Sequence, residues 1–161
     1  MSRQANPYIA GNTVGNTSAF VGREDVVTAV LRMLRHPEQN AITLFGQRRI
    51  GKTSVLQYLL SRLPKEGIYR PIYFDLEDKA AKSLGKVLSD LARVIAHELN
   101  LSNSTLLNDP VEYFKKTWLP NVLASLPANT SLVLLFDEFY VLEDPKFNSA
   151  ISAFFTYLKE L

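Results

Sequence analysis

Gly46-Gln47-Arg48-Arg49-Ile50-Gly51-Lys52-Thr53 is the stretch that decides the fold, because it fits the pattern G-x-x-x-x-G-K-[ST] at every fixed position. Before it, Ala41-Ile42-Thr43-Leu44-Phe45 reads as a short buried strand; after it, Ser54-Val55-Leu56-Gln57-Tyr58-Leu59-Leu60 opens an amphipathic helix. A loop between strand and helix is the context the pattern requires. Gly46 and Gly51 permit backbone angles and close approaches that a side chain would block, so successive N–H groups can point at phosphate oxygens. The helix beginning near Lys52 adds its positive N-terminal end, the Lys52 ammonium reaches toward β- and γ-phosphates, and the Thr53 hydroxyl can ligate Mg²⁺. The expected nucleotide contacts run through Gly46, Gln47, Arg48, Arg49, Ile50, Gly51, Lys52, Thr53 and Ser54. Backbone groups face the phosphates in such a loop, which leaves the Arg48 and Arg49 side chains available to a neighbouring subunit or domain.

A second stretch turns nucleotide binding into an expectation of hydrolysis. Ser131-Leu132-Val133-Leu134-Leu135-Phe136 is an apolar run of the kind that forms a strand buried on both faces, and it ends in Asp137-Glu138. In open α/β sheets, ligands bind outside the carboxyl ends of the strands, where the Gly46 loop also belongs. Asp137 is therefore expected to orient Mg²⁺ through its water shell, and Glu138 to polarise the water that attacks the γ-phosphate. Asp75, Glu77 and Asp78 follow another strand pattern near the same edge; they either help position water or Mg²⁺ or form a solvated turn.

Composition narrows the remaining classes. The 161 residues are 47% hydrophobic and 21% charged, as expected for one domain with a real core. Eighteen basic against 16 acidic side chains give a formal charge of +2, so charge does not indicate a nucleic-acid partner. The absence of cysteine excludes a disulfide framework, thiolate metal sites and thiol chemistry. The first residues contain no apolar stretch of signal-peptide length and no segment is long enough to span a membrane, so a cytoplasmic location and no membrane partner are expected.

Residues 1–20, rich in Asn, Gly, Ser and Thr, read as an extended lead-in. Val26, Val27, Val30, Leu31 and Leu34 recur at helical spacing up to a stop at Pro37, and Pro64 with Gly67 mark a turn into a strand at about Arg70 to Asp75. Leu84, Val87, Leu88, Leu91, Ile95 and Leu99 define a long amphipathic helix. Asp109-Pro110 fits an N-cap followed by proline, with Pro120 expected to interrupt the helix that starts there, and Ile151, Phe154, Phe155 and Leu158 mark a last helix. Trp118, Tyr113 and Phe114 read as a packing cluster, and His36 and His97 have no partner at metal-ligand spacing. The alternation of strands and helices implies an α/β sandwich, three layers with a mostly parallel sheet and right-handed crossovers.

Taken together, Asn6-Pro7-Tyr8 with Gly11, Phe20-Val21-Gly22-Arg23-Glu24, the Gln47-Arg48-Arg49 form of the loop and Phe136-Asp137-Glu138-Phe139 resemble the AAA+-related STAND ATPases. The likeness is to the archaeal-type ATPase group, with origin-recognition initiators as more distant relatives, and it covers about residues 6–160. It implies a P-loop NTPase core over residues 21–161, with Phe20, Val21 and Gly22 lining a base pocket held in place by Arg23 and Glu24. Such cores order five parallel strands 5-1-4-3-2. Only three strand signals occur here, so the resemblance implies a partial domain whose later strands and helical lid belong to a longer product. The expected function is an ATP/ADP-binding switch that hydrolyses Mg-ATP and works with a protein partner or by self-association. Two alternatives stay open: a DNA-associated initiator or loader ATPase, and a nucleotide-binding interaction module without turnover.

Overall fold

The computed structural model describes residues 23–36, 41–44, 50–79, 81–102, 109–138 and 148–159. The expected lead-in over 1–20 lies outside them. The chain divides into two compact units, Met1–Lys65 and Glu66–Leu161.

In the first unit, α1 spans Glu24–Leu34, with Glu24 and Asp25 in its first turn complementing the positive helix end and with Val27 and Val30 buried. Residues 41–44 alternate exposed and half-buried positions as a strand would, yet they carry no regular secondary structure. The strand expected from Ala41 onward is thus corrected over its four described residues. Alternation supplies the apolar face, but a strand also needs a ladder partner, and the only ladder among the described residues joins two later segments. Helix α2 spans Lys52–Arg62 and buries Val55, Leu56 and Leu59. It tightens into a 3-10 turn at Leu63–Glu66, followed by Gly67 at φ 79°, where glycine has no Cβ penalty.

The second unit is built on a two-stranded parallel sheet. Strand β1, Tyr69–Asp75, pairs with β2, Ser131–Asp137, in a register that sets Tyr73 opposite Leu135 and Asp75 opposite Asp137. Strand alternation separates two sets of side chains. Ile72 and Phe74 join the main apolar core, against which Leu134 and Phe136 pack, while Tyr73, Asp75, Leu135 and Asp137 share the other face. Helix α3, Leu84–Glu98, contributes Val87, Leu88, Leu91 and Ile95 to that core with no exposure, as its sequence spacing predicts.

Asp109 caps the next helical stretch as expected, its Oδ1 accepting from the N–H groups of Val111 at 3.1 Å and Glu112 at 3.2 Å. Pro120, however, does not interrupt that stretch. Helix α4, Pro110–Tyr113, widens into a π-helical turn at Phe114–Trp118 and continues as α5, Leu119–Ser125. The Leu119 N–H reaches back to the Phe114 carbonyl, five residues away, so the widened turn absorbs the hydrogen-bond shift that a proline forces on the usual four-residue ladder. The same turn brings Phe114 and Trp118 into a stacked pair, 5.3 Å between ring centres, and both are buried, which confirms the expected packing cluster.

Helix α6, Asn148–Lys159, closes the core with Phe154, which meets Phe136 edge-on at 5.5 Å. Tyr157, absent from the sequence pattern of buried residues, is also buried and donates its hydroxyl to the Val111 carbonyl at 2.8 Å. Burial first, and the nearby Glu112 carboxylate second, push its phenol up to about 12. The architecture is mixed α/β around a parallel strand pair. Among the described residues, no helix is long and apolar enough to cross a membrane.

Candidate functional site

The first group of candidate residues lies at the start of α2. Gly51 is its N-cap at φ 93°, a left-handed conformation that an L side chain adopts only with strain, and its carbonyl accepts from the Val55 N–H at 3.0 Å. Ile50, Gly51, Lys52, Thr53 and Ser54 therefore form one continuous turn into the helix. A glycine N-cap offers no side-chain acceptor to the first-turn N–H groups, and that turn contains no acidic residue, in contrast to α1. The helix end keeps its positive character, which suits an incoming anion. Arg23 donates from Nη2 to the Ile50 carbonyl at 2.6 Å, tying the residue that precedes α1 to the residue just before Gly51. Gly46, Gln47, Arg48 and Arg49, and the base-pocket candidates Phe20, Val21 and Gly22, lie outside the described residues.

The second group lies at the carboxyl end of β2. Asp137 is the last strand residue and is buried, with 6% of its surface exposed. Its Oδ2 accepts from the Tyr73 hydroxyl at 2.8 Å and its Oδ1 from the Glu138 N–H at 2.9 Å. Among the described residues each carboxylate oxygen thus has one protein donor and keeps further acceptor capacity. Glu138 follows at φ 57°, in the left-handed region that is uncommon for a residue with a Cβ. Such conformations persist where surrounding structure imposes them, and they cluster at functional sites. Asp75 sits beside Asp137 in the ladder, with its Oδ1 occupied by the Glu77 N–H at 2.9 Å. Sequence reasoning did not single out Tyr73. Strand alternation places it on the face of Asp75, but nothing in the sequence gives the β1–β2 register that brings its hydroxyl to Asp137.

An open groove of about 320 Å³ adjoins this end of β1, lined by Tyr73, Asp75, Asp78, Lys82, Asp90 and Arg93 among others. Its charges other than Asp75 are mutually paired. Lys82 bonds Asp90 at 2.9 Å and Asp78 at 3.1 Å, Lys79 also pairs with Asp78, and Arg93 reaches Asp90 at 3.2 Å. Hydrogen bonds from Lys79 and then Lys82 hold the Asp78 carboxyl at about 2. Burial pushes Asp90 up, but its bond to Lys82 and the surrounding Lys and Arg charges outweigh that and leave it below its ordinary value. Of the acids near the strand end, Asp78 therefore belongs to a closed ion-pair network, while Asp75 remains next to Asp137.

No group of three or more His, Cys, Asp or Glu side chains that could hold a metal occurs among the described residues. That rules out an all-protein cage within them. No family model, curated protein or solved structure matches this chain.

Proposed function

We propose that this chain is a Mg-ATP-binding switch domain of P-loop type that hydrolyses ATP through water activated at Glu138. The observation that carries the reading is the opening of α2 directly from left-handed Gly51, with Lys52 and Thr53 in an otherwise uncapped, acid-free first turn. That is the backbone a phosphate loop needs, on the residues whose side chains the chemistry requires. The parallel β1–β2 pair supports it further, because the order 5-1-4-3-2 also sets the second and third strands side by side, the acidic strand being the third.

Lys52 and the helix end would hold the β- and γ-phosphates, Thr53 would ligate magnesium, Asp137 would orient the ion's water shell, and Glu138 would take hydrogen bonds from the attacking water. Magnesium offsets charge developing on the phosphoryl oxygens when bound.

The test compares calorimetric Mg-ATP binding with release of inorganic phosphate by the same preparation. Binding with turnover is expected. Lys52→Ala should weaken ATP binding at least about tenfold, equivalent to roughly 1.4 kcal/mol. Unchanged affinity in a folded variant would reject the phosphate-loop assignment, and binding without any phosphate release would make the chain a nucleotide-holding interaction module.

A further inference from the structure

We propose that Tyr73 is a positioning residue for the Asp137 carboxylate and thereby sets the magnesium dependence of nucleotide binding. The proposal rests on the Mg-ATP reading of this site. Its basis is the 2.8 Å hydrogen bond from the Tyr73 hydroxyl to Asp137 Oδ2, made between neighbouring strands by residues 64 apart in sequence. The Glu138 N–H occupies the other oxygen at 2.9 Å. One donor on each oxygen fixes the rotation of the carboxylate plane, which a single donor leaves free. The acceptor directions that remain are then constant, and each can take a hydrogen bond from metal-bound water.

The alternation of β1 explains why a tyrosine does this here. Ile72 and Phe74 on one face are core residues, whereas Tyr73 and Asp75 share the face of Asp137, and Tyr73 is diagonal to it in the register. A residue at the directly opposite position, Asp75, has one oxygen engaged by the Glu77 N–H and is itself an acceptor when ionised. A neutral donor on a long rigid ring, set two residues back, reaches the carboxylate without adding a charge. Filling space beside Leu135 would need only the ring; the hydroxyl is the part that meets Asp137.

The test is Tyr73→Phe, which keeps the ring and removes the donor. ATP binding is followed by calorimetry in EDTA and across a Mg²⁺ titration, alongside thermal unfolding. The Mg²⁺ concentration giving half-maximal enhancement of ATP affinity should rise about tenfold, the lower end of what loss of an outer partner of a metal site costs, while affinity for metal-free ATP stays unchanged. Adding Tyr73→Phe to Asp137→Asn should cause no further rise, because the hydroxyl acts through that carboxylate. Placing 4-aminophenylalanine at position 73, which restores a donor on the ring, should return the wild-type magnesium dependence.

An unchanged magnesium dependence, an additive effect in the double variant, or an equal loss of metal-free ATP binding would overturn the role of Tyr73 while leaving the ATP reading intact. A Tyr73→Phe chain that does not fold, with the 4-aminophenylalanine chain showing altered magnesium dependence, would likewise overturn it. Failure of the wild-type chain to bind Mg-ATP would reject the reading itself and this proposal with it.

Discussion

At the start of α2, the candidate site is built from neighbours in sequence: Gly51 turns the backbone, and Lys52 and Thr53 follow in the helix it opens. At the end of β2, the carboxylate of Asp137 is held on one side by its own successor and on the other by Tyr73, 64 residues earlier. The first arrangement needs only local backbone geometry, because the glycine, the cation and the hydroxyl are consecutive in the chain and a positive φ is open to glycine without a Cβ penalty. The second needs two strands to pair in one register, and a slip by one residue would put Tyr73 on the opposite face from Asp137. Chemistry encoded locally can be read from a motif, whereas chemistry assembled across a ladder can be read only once the ladder is known.

The sharpest way to break this comparison is at the acidic end. Glu138→Gln should retain ATP and lose phosphate release by about a hundredfold or more, the usual scale for a general base, while Asp137→Asn should also impair Mg²⁺-dependent binding. Single-turnover hydrolysis set beside calorimetric affinity checks both, and equal hydrolysis by wild type and Glu138→Gln would remove the role given to that acid.

At the local end, Gly51→Ala isolates backbone strain. Among the described residues an added Cβ meets no atom within 4 Å, so the cost expected from them is that of φ 93°. Roughly 1–2 kcal/mol is expected, read as a lower denaturant midpoint, and no change would show that the turn relaxes freely.

A smaller local effect serves as a control on helix starts that have nothing to do with phosphate. Asp109→Ala removes both capping bonds to Val111 and Glu112 and should destabilise by about 1 kcal/mol, with ATP affinity unaffected. A change in affinity would mean that the two helix starts are coupled.

The smallest expected effect concerns the groove network. Asp78 and Asp90 titrate below their ordinary value of 3.8 in the folded chain, Asp78 at about 2. Their contribution to stability is complete above that ordinary value and is lost as pH falls toward about 2, because the unfolded chain takes up protons first. Asp78 is largely solvated, which keeps its share small. Chemical denaturation between pH 5 and 2 should show a slightly shallower acid limb for Asp90→Asn than for wild type, and identical limbs would show that the network adds nothing.

Much of the helical framework was legible because it depends on periodicity. The apolar spacing of Val87, Leu88, Leu91 and Ile95 marks the buried face of α3, and Asp109-Pro110 marks a helix start, since both signals lie within a few turns of chain. The strands Tyr69–Asp75 and Ser131–Asp137 were legible as apolar runs for the same reason. The stretch at 41–44 was misread as a strand because alternation records one face's preference and says nothing about a ladder partner. Pro120 was misread as a break because sequence shows the missing N–H but not the π turn at Phe114–Trp118 that takes up the shift.

The sequence by itself determined the turn chemistry of Gly51, the cation and hydroxyl that follow it, and the placing of Asp137 and Glu138 after an apolar run. These are properties of residue type and near-neighbour spacing, set by what a backbone can adopt and what a side chain can donate. Only the tertiary structure decided that β1 lies beside β2, that Asp75 stands opposite Asp137, and that the Tyr73 hydroxyl completes the hold on its carboxylate. Strand register is fixed by burial of one whole face against the rest of the core, a sum over many distant contacts, and no local pattern carries that sum.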